Sequence, residues 1–264
     1  MSYLESILLG IIQGITEFLP ISSSGHLLIG RSFFNIQTIG SGPFIEVFLH
    51  GGTLLSILLY WKDDLINSVK KNIKGESKLL FNIIIGTIPA GIIGLFFKDS
   101  IDDYFFDIQN IGYLSISYFF LAIILFLTKI KYKNTDSQSN IFYRLAFLIG
   151  IAQCFAIIPG ISRSGITIAA AIFLGINKKK STHFSFMLAI PILFFTYITS
   201  LIENFNLFSS SLLFWPLILG FISSFITGYF VIGILVKMIE NQRLWYFSVY
   251  CLFISFMLGY YYGL

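Results

Sequence analysis

The chain has 264 residues, of which 56% are hydrophobic and 11% charged, and its mean hydropathy is +0.84. A soluble domain carries about 25% charged residues, so this composition excludes one and reads as an all-α polytopic membrane protein. The net charge of +4 sits in loops, which fits membrane topology and argues against nucleic-acid binding.

The first apolar stretch, 4–34, is broken in its middle by the polar run from Gln13 to His26, which contains Glu17 and Pro20-Ile21-Ser22-Ser23-Ser24-Gly25. It lacks a basic flank and contains Glu5 and Glu17, so no removable signal peptide is evident. Three spans close to the membrane-crossing length follow, at 44–61, 79–97 and 111–128. A second broken stretch, 143–176, is interrupted by Pro159-Gly160-Ile161-Ser162-Arg163-Ser164-Gly165-Ile166-Thr167. Spans at 184–202, 212–236 and 244–264 complete a set of six. Each half of a broken stretch is too short to cross, so both stretches read as re-entrant helix pairs. No soluble domain or low-complexity linker fits between the spans. Cys154 and Cys251 lie in apolar segments and have neither a disulfide framework nor metal-ligand spacing.

Loop charges orient the spans. Lys62, Lys70, Lys71, Lys74 and Lys78, then Lys129, Lys131, Lys133 and Arg144, then Lys178–Lys180, and finally Lys237 and Arg243 mark cytoplasmic connections. Asp99, Asp102, Asp103 and Asp107 in one connection, and Glu203 in another, mark the outside. Both termini then lie outside. Trp61, Trp215, Trp245 and Tyr260–Tyr262 sit near span ends, as an aromatic belt would.

The two broken stretches are related. Residues 8–30 placed over 148–170 pair Leu8 with Leu148, Gly10 with Gly150, Gln13 with Gln153, Ser22 with Ser162, Ser24 with Ser164 and Gly25 with Gly165. Gly86 and Gly94 recur as Gly220 and Gly228. The single membrane domain, 1–264, is therefore expected to hold two repeats, about 1–130 and about 140–264. Each has one re-entrant pair and three spans. An odd number of spans inverts the second repeat, so the two polar turns should meet near the midplane. That brings Glu17, His26 and Arg163 into one cavity.

These residue types suit phosphate chemistry. Pro159-Gly160 ends one helix, and the next begins at Ser162-Arg163-Ser164. A helix start presents free N–H groups and a positive dipole end, and a guanidinium adds a bidentate fork for phosphate. The Ser22-Ser23-Ser24 turn repeats that plan, so Ser22, Ser24, Ser162, Ser164 and Thr167 are expected beside Arg163 as phosphate-binding groups. Glu17 lies one turn after Gln13 on the same helix face. It can act as a general base or hold a divalent cation, with the Gln13 carbonyl as a neutral co-ligand. An ion pair between Glu17 and Arg163 is the alternative, and it too places both in the site. His26 is expected to act as nucleophile, acid or base, and Ser23 is the alternative nucleophile. Glu46 lies where it could border the cavity. His50, near Glu46, and His183, beside a lysine run, are read as structural.

Taken together, the motif Gln13-x-x-x-Glu17 followed by Phe18-Leu19-Pro20-Ile21-Ser22-Ser23-Ser24-Gly25-His26, and the motif Pro159 to Thr167, closely resemble the bacterial undecaprenyl-diphosphatase family, also called the bacitracin-resistance protein family. The resemblance covers essentially the whole chain. It implies removal of a phosphate from undecaprenyl pyrophosphate in the bacterial cytoplasmic membrane, recycling the lipid carrier for peptidoglycan. It also implies bacitracin resistance, a divalent cation (Mg²⁺ or Ca²⁺), and an active site open to the outer face. The family's essential acid falls on Glu17, its histidine on His26, its arginine on Arg163 and its hydroxyls on Ser22, Ser23, Ser162, Ser164 and Thr167. Many members carry Glu where this chain has Gln13, which makes Glu17 the principal acid here. Ser24 replaces a Thr found in some members. A transporter or flippase for an anionic lipid or solute is the rival reading, because inverted repeats with broken helices serve transport as well. Metal identity, tail-length preference and oligomeric state stay open, a homo-oligomer included.

Overall fold

The chain begins with a reciprocal cap. The Ser2 hydroxyl accepts from the Glu5 backbone N–H, and the Glu5 carboxylate accepts from the Ser2 backbone N–H at 2.7 Å, which starts helix α1, Tyr3–Phe18. Pro20 ends it. The residue before a proline is driven out of the helical region, and Leu19 is extended at ψ 143°. Helix α2, Ser23–Phe33, then starts with the Ser22 hydroxyl accepting from the Gly25 N–H. The same grammar recurs later. Helix α7, Tyr143–Cys154, passes through a 3₁₀ turn, Phe155–Ile157, and stops where Ile158 is extended before Pro159. Helix α8, Arg163–Phe173, starts with the Ser162 hydroxyl accepting from the Gly165 N–H at 3.1 Å.

The remaining elements are α3 (Phe44–Tyr60), α4 (Lys62–Ile73), α5 (Leu79–Phe105), a 3₁₀ turn (Ile108–Tyr113) leading into α6 (Leu114–Lys131), α9 (Lys178–Glu203), α10 (Phe205–Phe208), α11 (Ser211–Glu240) and α12 (Tyr246–Tyr262). This computed structural model describes residues 1–36, 43–75, 78–105, 108–131, 141–208, 211–241 and 243–263. The side chains of 98–103, 105, 108–110 and 211–212 are excepted. Every element among the described residues is helical. Asp107 and Lys133 lie outside the described residues, as do the side chains of Asp99, Asp102 and Asp103.

Four helices are long and apolar enough to cross a membrane: Leu79–Phe97, Ile111–Lys131, Lys178–Glu203 and Leu213–Glu240. The expected span at 44–61 is shorter. It ends at Tyr60, and the chain turns by 70° into α4, making a fifth span only if the bent pair counts as one. The turn follows from composition, because α4 is rich in Lys and Asp and has no buried residue. Helix α12, with 17 residues, is about 25 Å long at 1.5 Å per residue, somewhat less than a hydrocarbon core of roughly 30 Å.

Close helix contacts are made by small residues. Gly10 of α1 presses on the Gly220 carbonyl of α11, and Gly150 of α7 presses on the Gly86 carbonyl of α5. In lipid such approach replaces hydrophobic attraction as the source of helix association. Interhelical hydroxyls add to it: Ser56 donates to the Phe225 carbonyl at 2.8 Å and Ser224 to the Leu49 carbonyl at 2.9 Å, joining α3 to α11. Gly10→Val puts a branched side chain into a backbone carbonyl, and overpacking of this kind costs about 1–3 kcal/mol. It should lower the unfolding temperature in detergent, whereas Gly91→Ala, with open space around the position, should not. Equal melting of both variants would refute the close-contact account.

Candidate active site

The two proline turns meet. The Gly160 N–H donates to the Ser22 hydroxyl at 3.0 Å, and the Ser164 hydroxyl donates to the Phe18 carbonyl at 3.0 Å. Gly160 has φ +89°, a conformation other residues rarely adopt, and a Cβ there would lie 2.6 Å from that of Ser117. Ser22 has φ +68° without being glycine. Strain of this kind persists where neighbours over-determine it, and here Ser22 is held through both its hydroxyl and its carbonyl.

Glu17 lies at the C-terminal end of α1, 7% exposed. Its two oxygens face different partners. Oε1 accepts from Arg163 Nη2 at 2.7 Å. Oε2 accepts from the Ser23 hydroxyl at 2.7 Å and from Gln13 Nε2 at 3.1 Å, and lies 3.3 Å from His50 Nε2. Sequence-distant Glu17 and Arg163 are thus in direct contact, and Ser23 sits on the same carboxylate. A hydroxyl donating to a carboxylate in this way is a nucleophile already paired with a base. Arg163 also donates to the Ser185 carbonyl at 3.5 Å and lines a cavity of about 510 Å³ between α3, α5 and α9. That cavity is walled mainly by apolar side chains such as Phe44, Leu95, Ile192 and Phe195, and by the open backbone of Gly91 and Gly94.

His26 does not reach this cluster by any contact in the structure. Its Nδ1 lies 2.6 Å from the Ser22 carbonyl and 2.9 Å from the Tyr118 hydroxyl, and its Nε2 lies 2.7 Å from the Tyr250 hydroxyl. The imidazole therefore fastens α2 to α6 and α12. The other hydroxyls are also engaged. Ser22 and Ser162 cap helices and lie 3.2 Å and 3.1 Å from Ser24 and Ser164 respectively. Thr167 donates to the Arg163 carbonyl at 2.7 Å and meets the Ser185 hydroxyl at 2.6 Å, which fixes Arg163 within its helix. Glu46 turns away from the cavity and pairs with buried Arg31. His183 packs edge-on against Trp61, with ring centres 4.9 Å apart.

Sequence reasoning reads His50 as structural, whereas here it stands against Glu17. The signal was present: an ionisable residue at membrane depth, followed by Gly51-Gly52-Thr53, on a helix the sequence already marked as a span. Among the described residues no three His, Cys, Asp or Glu side chains cluster as a metal cage. Beside Glu17, the buried Gln13 Oε1 has no hydrogen-bond partner among the described residues.

Residues 6–257 match the family described as "Bacitracin resistance protein BacA". The chain is 39% identical over 252 residues to "Undecaprenyl-diphosphatase 4" of Bacillus cereus, covering 95% of this chain and 93% of the relative. It is 38% identical over 258 residues to "Undecaprenyl-diphosphatase" of Methanococcus maripaludis, covering 96% and 98%. Against the protein of the same name from Methanococcus vannielii it is 36% identical over 262 residues, covering 98% and 100%.

Proposed function

We propose, from a chain that belongs to the bacitracin resistance protein BacA family, that this protein hydrolyses undecaprenyl pyrophosphate to undecaprenyl phosphate and phosphate. It thereby recycles the lipid carrier of peptidoglycan synthesis and confers bacitracin resistance. The observation that carries the mechanism is the contact of Glu17 with both Arg163 and Ser23, each at 2.7 Å.

Arg163 grips the pyrophosphate oxygens, and the starts of α2 and α8 add backbone N–H groups and positive dipole ends. The Ser23 oxygen attacks the terminal phosphorus as its proton passes to Glu17 Oε2. The bond from that phosphorus to the bridging oxygen breaks, and undecaprenyl phosphate leaves. Glu17 passes that proton to the departing phosphate oxygen and is again a carboxylate. Water then attacks the phosphoserine, giving a proton to Glu17, which hands it to the Ser23 oxygen as the phosphorus–Ser23 bond breaks and phosphate leaves. Among Ser23, His26 and an activated water as attackers, Ser23 is favoured by its contact with Glu17, and His26 has both nitrogens committed to α2, α6 and α12. Ser22, Ser24, Ser162, Ser164 and Thr167 shape the two turns that present the N–H groups and the guanidinium.

The oxygen donors fit a hard cation such as Mg²⁺ or Ca²⁺. Glu17 and the unpartnered Gln13 Oε1 would hold it. Such an ion would offset the negative charge of the pyrophosphate.

The membrane arrangement follows the same reading: six spans, two re-entrant pairs, and two inverted repeats of about 1–130 and about 140–264, in the bacterial cytoplasmic membrane with the site open to the outer face. The repeats are supported by contacts that occur twice, Gly10 with Gly220 and Gly150 with Gly86, and by the matched serine caps of α2 and α8.

The polyprenyl tail occupies the cavity that reaches Arg163. Gly94→Leu fills its open backbone side and should raise KM for undecaprenyl pyrophosphate far more than for a short prenyl pyrophosphate. An equal change for both would place the tail elsewhere. The direct test of the function is phosphate release by detergent-solubilised protein, with no second compartment present. A transporter would release none.

A further inference from the structure

We infer that His50 is a positioning residue for this reaction, holding the Glu17 carboxylate in the orientation in which it receives the Ser23 proton. The inference rests on the phosphatase reading above and concerns a residue outside both sequence motifs.

His50 Nδ1 lies 2.5 Å from the Glu46 carbonyl. A carbonyl only accepts, so Nδ1 is the donor there, and the ring is anchored along its own helix. Its other nitrogen then lies 3.3 Å from Glu17 Oε2, and with Nδ1 already a donor it donates to that carboxylate as the imidazolium, in which both ring nitrogens carry hydrogen. That is the oxygen that Ser23 contacts; Arg163 takes the other one. The last torsion of a glutamate is broad and roughly two-fold, and apart from Arg163 and the reacting Ser23 the Glu17 carboxylate is held by Gln13, which stands on the same helix. His50 adds to Oε2 a donor from a separate helix, α3, which holds the carboxylate in line with the Ser23 hydroxyl from outside α1.

The rest of α3 makes His50 a firm anchor. Gly51 lies under the Tyr197 ring of α9, and Gly52 lies against the Phe221 carbonyl of α11. Side chains at either position would push the helix away, so their absence sets the distance from His50 to α1. Thr53, one turn on, accepts from Gln13 Nε2 at 3.3 Å and donates to the His50 carbonyl at 2.9 Å, closing a ring of contacts around Glu17. The charged groups near the imidazole are Glu17 from α1 and Arg163 from α8. The Glu46 carboxylate of its own helix is turned to Arg31.

The test compares purified full-length His50→Leu and His50→Gln with wild type, using undecaprenyl pyrophosphate and reading kcat, KM and unfolding temperature. Misplacement of a catalytic group by about 1 Å costs on the order of 100-fold, so His50→Leu should lose kcat by that order with KM and unfolding temperature little changed. His50→Gln, which keeps an N–H donor, should recover most of the loss. If His50→Leu does not fold, His50→Asn replaces it as the variant whose donor is too short to reach. Wild-type kcat in His50→Leu overturns the inference, as does His50→Gln no faster than the donor-less or short variant. Wild-type protein that releases no phosphate overturns the phosphatase reading itself, which is a separate result.

Discussion

Arg163→Ala should reduce phosphate release to near the limit of detection. Arginines that offset developing charge in phosphoryl transfer contribute roughly 10³–10⁵ in kcat, and Arg163 is the guanidinium that both contacts Glu17 and lines the cavity. Structural damage is the competing explanation for any loss. Breaking a buried ion pair costs about 3–5 kcal/mol when one charge is left alone. Glu17 would not be left alone, because Ser23, Gln13 and His50 still surround its other oxygen. The unfolding temperature should therefore fall only moderately while turnover collapses. Arg163→Lys sharpens the distinction. It keeps the charge and loses the planar fork, so it should regain only part of the rate. Full activity in Arg163→Lys would mean that a point charge suffices and that the bidentate geometry is incidental.

The parts legible in the sequence were those with strong local causes. Pro20 and Pro159 announce helix ends, Ser22 and Ser162 announce helix starts, and both helices cap where the serines stand. The alignment of the two stretches puts Glu17 and Arg163 in one cavity, and the ion pair offered as the alternative reading is the contact between them. His26 was harder. Its sequence neighbours suggest chemistry, but its contacts come from Tyr118 and Tyr250, on helices far along the chain, and no local pattern reveals them. The hydroxyls carry the same lesson. Ser164 and Thr167 look like phosphate ligands in the motif, yet both bond backbone carbonyls, because buried donors at a helix crossing take the nearest acceptor. His50 reads as structural for a related reason: its partner Glu17 lies on another helix, and its own surroundings read as an ordinary span. The bend after Tyr60 was missed because length alone marked 44–61 as a span, while the polar composition of the following segment decides its direction.

Ser23→Ala and Glu17→Gln should each abolish most turnover, and combining them should cost no more than the worse of the two. The reasoning is that the pair acts as one unit. Glu17 contributes by taking the proton that Ser23 loses, so once the hydroxyl is gone the base has nothing to receive in the first step. General-base assistance is worth roughly 10²–10⁴ in rate, and groups that act on one another are grossly non-additive when removed together. Glu17→Gln is chosen over Ala because the amide fills the same space, so that Arg163 and His50 keep a neighbour and the loss reports basicity. Two other results have definite meanings. If the double variant is slower by the product of the single losses, Glu17 and Ser23 act separately, and the 2.7 Å contact between them is structural. If Ser23→Ala keeps turnover within about tenfold of wild type while Glu17→Gln is inactive, the carboxylate activates water directly, since assistance from a base needs only a proton in reach. Single-turnover trapping separates these cases physically. With Ser23 as nucleophile, acid quench of the wild type should leave phosphate bonded to the protein at Ser23. Direct attack by water leaves none.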